Sequence, residues 1–181
     1  FFVAGPPNRA GERLSVRQAY ERIFGFCLMN DWSARDIQTW EYVPLGPFTA
    51  KNFATSISPW IVTTMALEDF VTPTSAKEQI EPIPLEYLQD PNYSSFNIAL
   101  RAEIQSQDME KPTTVSESNF SNLYWNATQQ LVHHSVTGCI MRPGDLLGSG
   151  TISGCAEASF GSMLELTWGG KNPIKLSNGT E

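Results

Sequence analysis

Proline and glycine set the first limit on what this chain can fold into. Its 12 prolines and 13 glycines punctuate it into short segments, because proline removes a backbone donor and glycine relaxes φ. Residues 5–13 (Gly5-Pro6-Pro7-Asn8-Arg9-Ala10-Gly11-Glu12-Arg13) read as a loop. So do residues 43–56, with Pro44, Gly46 and Pro47, and the irregular excursion over 70–93, with Pro73, Pro82, Pro84 and Pro91. Arg142-Pro143-Gly144-Asp145 is a turn signal ahead of Gly148-Ser149-Gly150-Thr151.

Between these breaks the apolar pattern predicts short elements. Ser15 caps a helix from Val16 to about Ile23. Phe24 to Asn30 is a continuous apolar run that fits a buried strand, and Ile57 to Met65 reads as another. Phe96 to Gln105 alternates like a half-buried strand. Asn119 can cap a helix through Phe120, Leu123, Tyr124, Ala127 and Leu131 that Gly138 ends. Ser162 to Trp168 reads as a last strand. Strand is expected to exceed helix, and the strands are not separated by regular helices. The expected class is therefore α+β, mainly β, rather than a doubly wound sheet.

Composition narrows the function. A net charge of −7 without any basic run argues against nucleic acid, since phosphate binding needs clustered Lys and Arg. No apolar run approaches the ~20 residues of a bilayer span. The widely spaced Cys27, Cys139 and Cys155 form neither a disulfide framework nor a CxxC site, which points to reduced thiols in a cytoplasmic protein. The chain opens on Phe1 and stops just after a turn signal at Asn178-Gly179, so further chain is expected on both sides.

Three places hold polar groups that need explaining. In the first, the apolar run from Phe24 leads straight into Asp31, and a carboxylate at the end of a buried strand is costly unless paired or metal-bound. If residues 33–42 are helical, Arg35, Gln38 and Tyr42 share one face, a set suited to an anionic or carbonyl-bearing ligand. The plainer alternative has Asp31 capping that helix and Arg35 paired with Asp36 or Glu41 on the surface. In the second, Lys51 lies in a loop bounded by glycine and proline, either held in a cleft or simply solvated. In the third, Gly148-Ser149-Gly150-Thr151 precedes Ser162-Met163-Leu164-Glu165-Leu166. By alternation Glu165 points away from both leucines, toward a ligand or toward solvent. His133 and His134 fall at the end of a predicted helix, where a structural role is expected.

Taken together, these segments resemble the fumarylacetoacetate hydrolase family. The likeness is carried by Asn30-Asp31-Trp32-Ser33-Ala34-Arg35-Asp36-Ile37-Gln38, Trp40-Glu41-Tyr42-Val43-Pro44-Leu45-Gly46-Pro47-Phe48, Gln129-Gln130-Leu131-Val132-His133-His134, Arg142-Pro143-Gly144-Asp145 and Gly161-Ser162-Met163-Leu164-Glu165-Leu166. It covers essentially the whole chain, which it implies is part of one catalytic domain, residues 1–181, built as a mixed β-sandwich roll that is incomplete at both ends. The resemblance implies hydrolysis of the C–C bond of 4-fumarylacetoacetate to fumarate and acetoacetate, the last step of tyrosine and phenylalanine catabolism. It also implies a cytoplasmic homodimer that uses Mg²⁺ or Ca²⁺. Asp31 is implied as a metal ligand, with Lys51 and Thr55 at the metal's edge, where Lys51 could offer only its carbonyl. The charges of Arg35, Lys51 and their neighbours would stabilise the oxyanion. Gln38, Tyr42 and Thr151 would hold substrate, and Glu165 would orient a general-base histidine. That histidine and most of the carboxylate ligands correspond to positions before Phe1, and neither His133 nor His134 matches it. One carboxylate is far from the six or so oxygens a hard cation takes, so these 181 residues alone are expected to bind metal poorly and turn over little. Acylpyruvate hydrolase, oxaloacetate decarboxylase or a silent dimer-forming homologue are the alternatives.

Overall fold

The computed structural model describes residues 1–73 and 79–180. The described residues form four small antiparallel sheets and five short α-helices. β1 (Phe2–Val3), β2 (Ile23–Phe26) and β5 (Val62–Thr63) make a three-stranded sheet in the order β1-β2-β5. β3 (Met29–Asp31) pairs with β4 (Thr55–Ile57), β6 (Val71–Thr72) with β7 (Ser95–Phe96), and β8 (Ala99–Ile104) with β9 (Thr113–Asn119). The helices are α1 (Val16–Tyr20), α2 (Arg35–Glu41), α3 (Thr49–Asn52), α4 (Ala127–Ser135) and α5 (Met163–Leu166), with several 3-10 turns between them. Mixed α and β is therefore right, but the expected excess of strand is not met. Helical segments, α and 3-10 together, take more of the described residues than strands do.

The core gathers on α4. Leu131 and Val132 are fully buried, and Phe26 sits against the rings of Phe1, Phe96 and Phe120 at 6.0, 5.3 and 5.4 Å between centroids. Offset and edge-on ring pairs of this kind add to plain burial. α4 begins where Asn126 and Gln129 form a reciprocal capping box, satisfying donors that the first turn leaves orphaned. Gln129 is buried because its amide also donates to Leu88 O at 2.8 Å. After α4 the chain turns at Gly138, whose φ of +82° suits glycine. A Cβ there would lie 2.5 Å from the Gly11 Cα, so this position has no room for a side chain. Asn8 completes the seam, donating to Glu12 O and Cys139 O and accepting from Met141 N.

Several expected elements are divided. The run Phe24–Asn30 is two strands in different sheets, β2 and β3, and β3 is exposed rather than buried. The run Ile57–Met65 likewise splits between β4 and β5. The helix expected from Asn119 is a 3-10 turn, Phe120–Asn122, followed by a separate start for α4. The segment expected as a strand over Ser162–Trp168 is helical at α5. Part of the proline-rich excursion, residues 74–78, lies outside the described residues. Among the described residues, no helix is long and apolar enough to cross a membrane.

Candidate functional site

The first group of polar side chains is built by β3, β4, α2 and α3. Asp31 ends β3, and the antiparallel register sets it opposite Thr55 at the start of β4. Lys51 reaches them from α3. Its Nζ makes an ion pair with Asp31 Oδ2 at 2.8 Å and donates to Asp31 O at 3.0 Å and Ser33 Oγ at 2.9 Å. An ammonium has three N–H bonds, and these three acceptors account for all of them. Lys51 is therefore neither a loose loop residue nor free to hydrogen-bond a ligand without giving up a partner. Its side chain is 28% exposed and that of Asp31 53%, so the desolvation argument for Asp31 falls with the buried strand. A pair so open to solvent contributes at most about 1 kcal/mol to stability.

α2 presents the next two residues. Arg35 Nη1 donates to Gln38 Oε1 at 2.7 Å, one turn along the helix. The surface pairing of Arg35 with Asp36 or Glu41 does not form, and the cap position of α2 is Ala34 rather than Asp31. Tyr42 closes α2 and is exposed. No residue of α2 is buried.

Between α2 and α3 lies a residue that the sequence reading did not place in the site. Glu41, the last residue of α2, turns its carboxylate back onto the start of α3. It accepts from Phe48 N at 2.8 Å, Thr49 N at 3.1 Å and Ala50 N at 3.1 Å, and from the Thr49 hydroxyl. Phe48 at the α3 cap position offers no side-chain acceptor, so Glu41 takes the role a local cap ordinarily fills. The Thr49 hydroxyl, and after it the Phe48 amide, holds the Glu41 carboxyl below the usual glutamate range. The available signal was a lone glutamate leading into a proline- and glycine-rich turn, with threonine eight residues on.

Glu165 belongs to a second group. It lies on α5, so strand alternation does not set its direction. Ser162 caps α5 and donates to Glu165 Oε2 at 2.6 Å, while Ser153 Oγ lies 2.8 and 3.0 Å from the two carboxylate oxygens. Ser153 is itself fixed by the Gly161 amide at 3.0 Å. Gly161 has no room for a side chain, because a Cβ there would come within 2.6 Å of Ile152 O. Thr151 is exposed two residues before Ser153. Among the described residues, no hydrogen bond or ion pair joins Glu165 or Thr151 to the group around Asp31. The structure thus brings together Asp31, Lys51 and Thr55, links Arg35 to Gln38 on the adjoining helix, and leaves Glu165 in its own serine cradle. His133 bonds through Nδ1 to the Tyr87 hydroxyl at 2.9 Å and stacks on its ring, a helix-end role without a carboxylate partner.

Nor do these residues fit a divalent cation by themselves. Among the described residues no three His, Cys, Asp or Glu side chains gather, and the Asp31 carboxylate is engaged by an ammonium. Hard cations take six to eight oxygens.

Residues 6–176 match the family model described as fumarylacetoacetate (FAA) hydrolase C-terminal. The chain is 52% identical to a fumarylacetoacetase of Homo sapiens over 178 residues, 98% of this chain and 42% of the relative. It is 52% identical to one from Dictyostelium discoideum over 99% of the chain and 41% of the relative. The corresponding figures for Arabidopsis thaliana are 51%, 99% and 42%. The chain therefore spans about two fifths of the length of these curated relatives.

Proposed function

The chain belongs to the fumarylacetoacetate hydrolase C-terminal family, and on that premise we propose that the whole protein is a fumarylacetoacetase. It hydrolyses 4-fumarylacetoacetate to fumarate and acetoacetate and serves tyrosine and phenylalanine breakdown. The observation that carries this reading is the Asp31, Ser33, Arg35, Gln38 and Lys51 group, formed by a stretch of chain about half identical to fumarylacetoacetases along its whole length.

In the reaction, water oxygen adds to the fumaryl carbonyl carbon. The bond from that carbon to the acetoacetate carbon then breaks, and its electron pair stays with acetoacetate as an enolate that takes up a proton. Arg35 and Lys51 supply positive charge where the oxyanion and enolate develop. Because the N–H bonds of Lys51 end on Asp31 and Ser33, its share is its field rather than a hydrogen bond of its own. Gln38, Tyr42 and Thr151 hold the diketo acid. Glu165, fixed by Ser153 and Ser162, orients a general-base histidine supplied from outside these residues. Were Mg²⁺ or Ca²⁺ bound in the whole protein, Asp31 would be the carboxylate these residues offer it, with Thr55 and the Lys51 carbonyl beside it, and the ion would supply positive charge to polarise the substrate carbonyl. The same reading places the protein in the cytoplasm as a homodimer, with the β-sandwich roll of the family assembled around the small sheets described here.

The test is to give the intact protein 4-fumarylacetoacetate with Mg²⁺ and follow fumarate and acetoacetate by chromatography. Equal release of the two supports the assignment. An intact, folded protein that leaves the substrate unchanged but cleaves acylpyruvates or decarboxylates oxaloacetate would replace it. Calorimetry should find Mg²⁺ and Ca²⁺ bound by the intact protein and only weakly, at millimolar levels or above, by the 181-residue chain.

A further inference from the structure

We infer that Glu41 is a positioning residue, which sets α3 against α2 and thereby fixes where the Lys51 ammonium stands relative to Arg35 and Gln38. The inference rests on the catalytic reading of Lys51 proposed above.

Arg35 and Gln38 ride on α2, and Lys51 rides on α3. Between the two helices the chain runs through Tyr42 to Phe48, an excursion whose Val43 and Leu45 are exposed and which buries no side chain that could anchor it. Two backbone bonds bracket it, Gly46 N to Tyr42 O at 3.1 Å and Ala34 N to Ala50 O at 2.9 Å. What spans the gap is the Glu41 carboxylate, which receives three consecutive amides and one hydroxyl at residues 48–50. Lys51 follows directly after the last of those amides. A shift of α3 moves the Lys51 side chain at its root, away from Asp31 and Ser33. Glu41 touches none of Asp31, Arg35, Gln38 or Lys51 by hydrogen bond or ion pair, so it acts through the helix it caps. No local residue does the same job, since the α3 cap position is held by Phe48.

The carboxylate is open to water. Removing it leaves the Phe48 and Thr49 amides open to water, while the amide of Ala50, a residue 0% exposed, loses a partner, so overall stability should fall modestly. The cost should fall on placement of Lys51. Misplacing a charge-stabilising group by about 1 Å lowers turnover by roughly 10- to 100-fold, and it acts on kcat when the group matters in the transition state more than in the bound ground state.

The experiment uses the intact protein and its variants Glu41→Ala and Glu41→Gln. Two quantities are read. One is kcat and KM on 4-fumarylacetoacetate with Mg²⁺. The other is the rate at which an amine-reactive acetylating ester modifies the Lys51 ε-amine, by mass spectrometry, against Lys111, Lys171 and Lys175 as internal controls. We expect Glu41→Ala to lower kcat at least about tenfold with KM within about threefold, and to speed Lys51 acetylation several-fold while the control lysines keep their rates. Glu41→Gln keeps one carbonyl acceptor and should fall between Ala and wild type. Unchanged Lys51 acetylation overturns the inference whatever the activity does. So does faster acetylation with unchanged kcat, because α3 would then move without consequence for the chemistry. If Glu41→Ala fails to fold, Glu41→Gln decides on the same two readings. If wild-type protein does not hydrolyse the substrate, the proposed function fails on its own, and the acetylation rates still decide whether Glu41 places Lys51.

Discussion

α4 and the α2–α3 loop are held by opposite means. α4 is set in place by apolar burial. Leu131 is 0% exposed, the helix cap is reciprocal, and even Gln129 and Ser135 are fully enclosed and bonded. The α2–α3 region has only Ala50 buried in either helix, while Trp40 is 89% exposed and Leu45 79%. What organises it is polar: Lys51 on Asp31 and Ser33, Arg35 on Gln38, and Glu41 on three amides. On the proposed function, this chain keeps its stability and its chemistry in different places. Charge and hydrogen bonds at an open surface add little to folding free energy but fix geometry, which is what catalysis needs.

That separation can be broken or sharpened by experiment. Leu131→Ala should cost about 2–5 kcal/mol in chemical denaturation. Trp40→Ala in the 181-residue chain should stay within about 0.5 kcal/mol, and a much larger loss there would erase the contrast. Lys51→Met should invert the pattern in the intact protein, with kcat falling about 100-fold while stability moves by less than about 1 kcal/mol. Asn126→Ala removes a cap as well as a bond of 2.8 Å to Asp90, and should lower stability by about 1 kcal/mol without changing KM. The smallest effect concerns pH. The Glu41 carboxyl is held below its usual value by the Thr49 hydroxyl and the loop amides. Its contribution is whole above about pH 4.3, the ordinary glutamate value, and is lost as pH falls through the lower value it has in the fold. Hydrogen exchange at Phe48, Thr49 and Ala50, corrected for intrinsic rates, should show that loss, and Glu41→Gln should show no step.

The same division explains what could be read in advance. Local signals were legible. Ser15 and Gln18 form the capping box that starts α1, residues 33–42 do contain a helix, Arg142-Pro143-Gly144-Asp145 does turn, with Asp145 N bonded to Arg142 O, and Gly138 does follow α4. Elements whose form depends on distant partners were not. Phe24–Asn30 reads as one buried strand, yet β2 finds β1 and β5 while β3 finds β4, and only β2 reaches the core. Met163-Leu164-Glu165-Leu166 is too short for alternation to distinguish strand from helix. The Ser162 cap on the Glu165 amide decides it. In the site, the type of each residue was readable and its company was not. Asp31 and Lys51 meet across 20 positions, and Glu41 acts on amides seven to nine residues away through a turn that no periodicity encodes.

The Asn8 seam has a consequence for how the chain is born. Its bonds to Cys139 and Met141, and that of Gly11 to Gly138, span more than 125 positions. On a ribosome adding about 5–20 residues per second, the loop over residues 5–13 waits on the order of ten seconds for its partner segment to be made. Before that partner segment is made, the stretch from Leu28 to Met65, with exposed Trp40, Leu45 and Trp60, has been synthesised without α4 beside it. The seam thus makes the segment that follows α4 the timekeeper for the loop over residues 5–13.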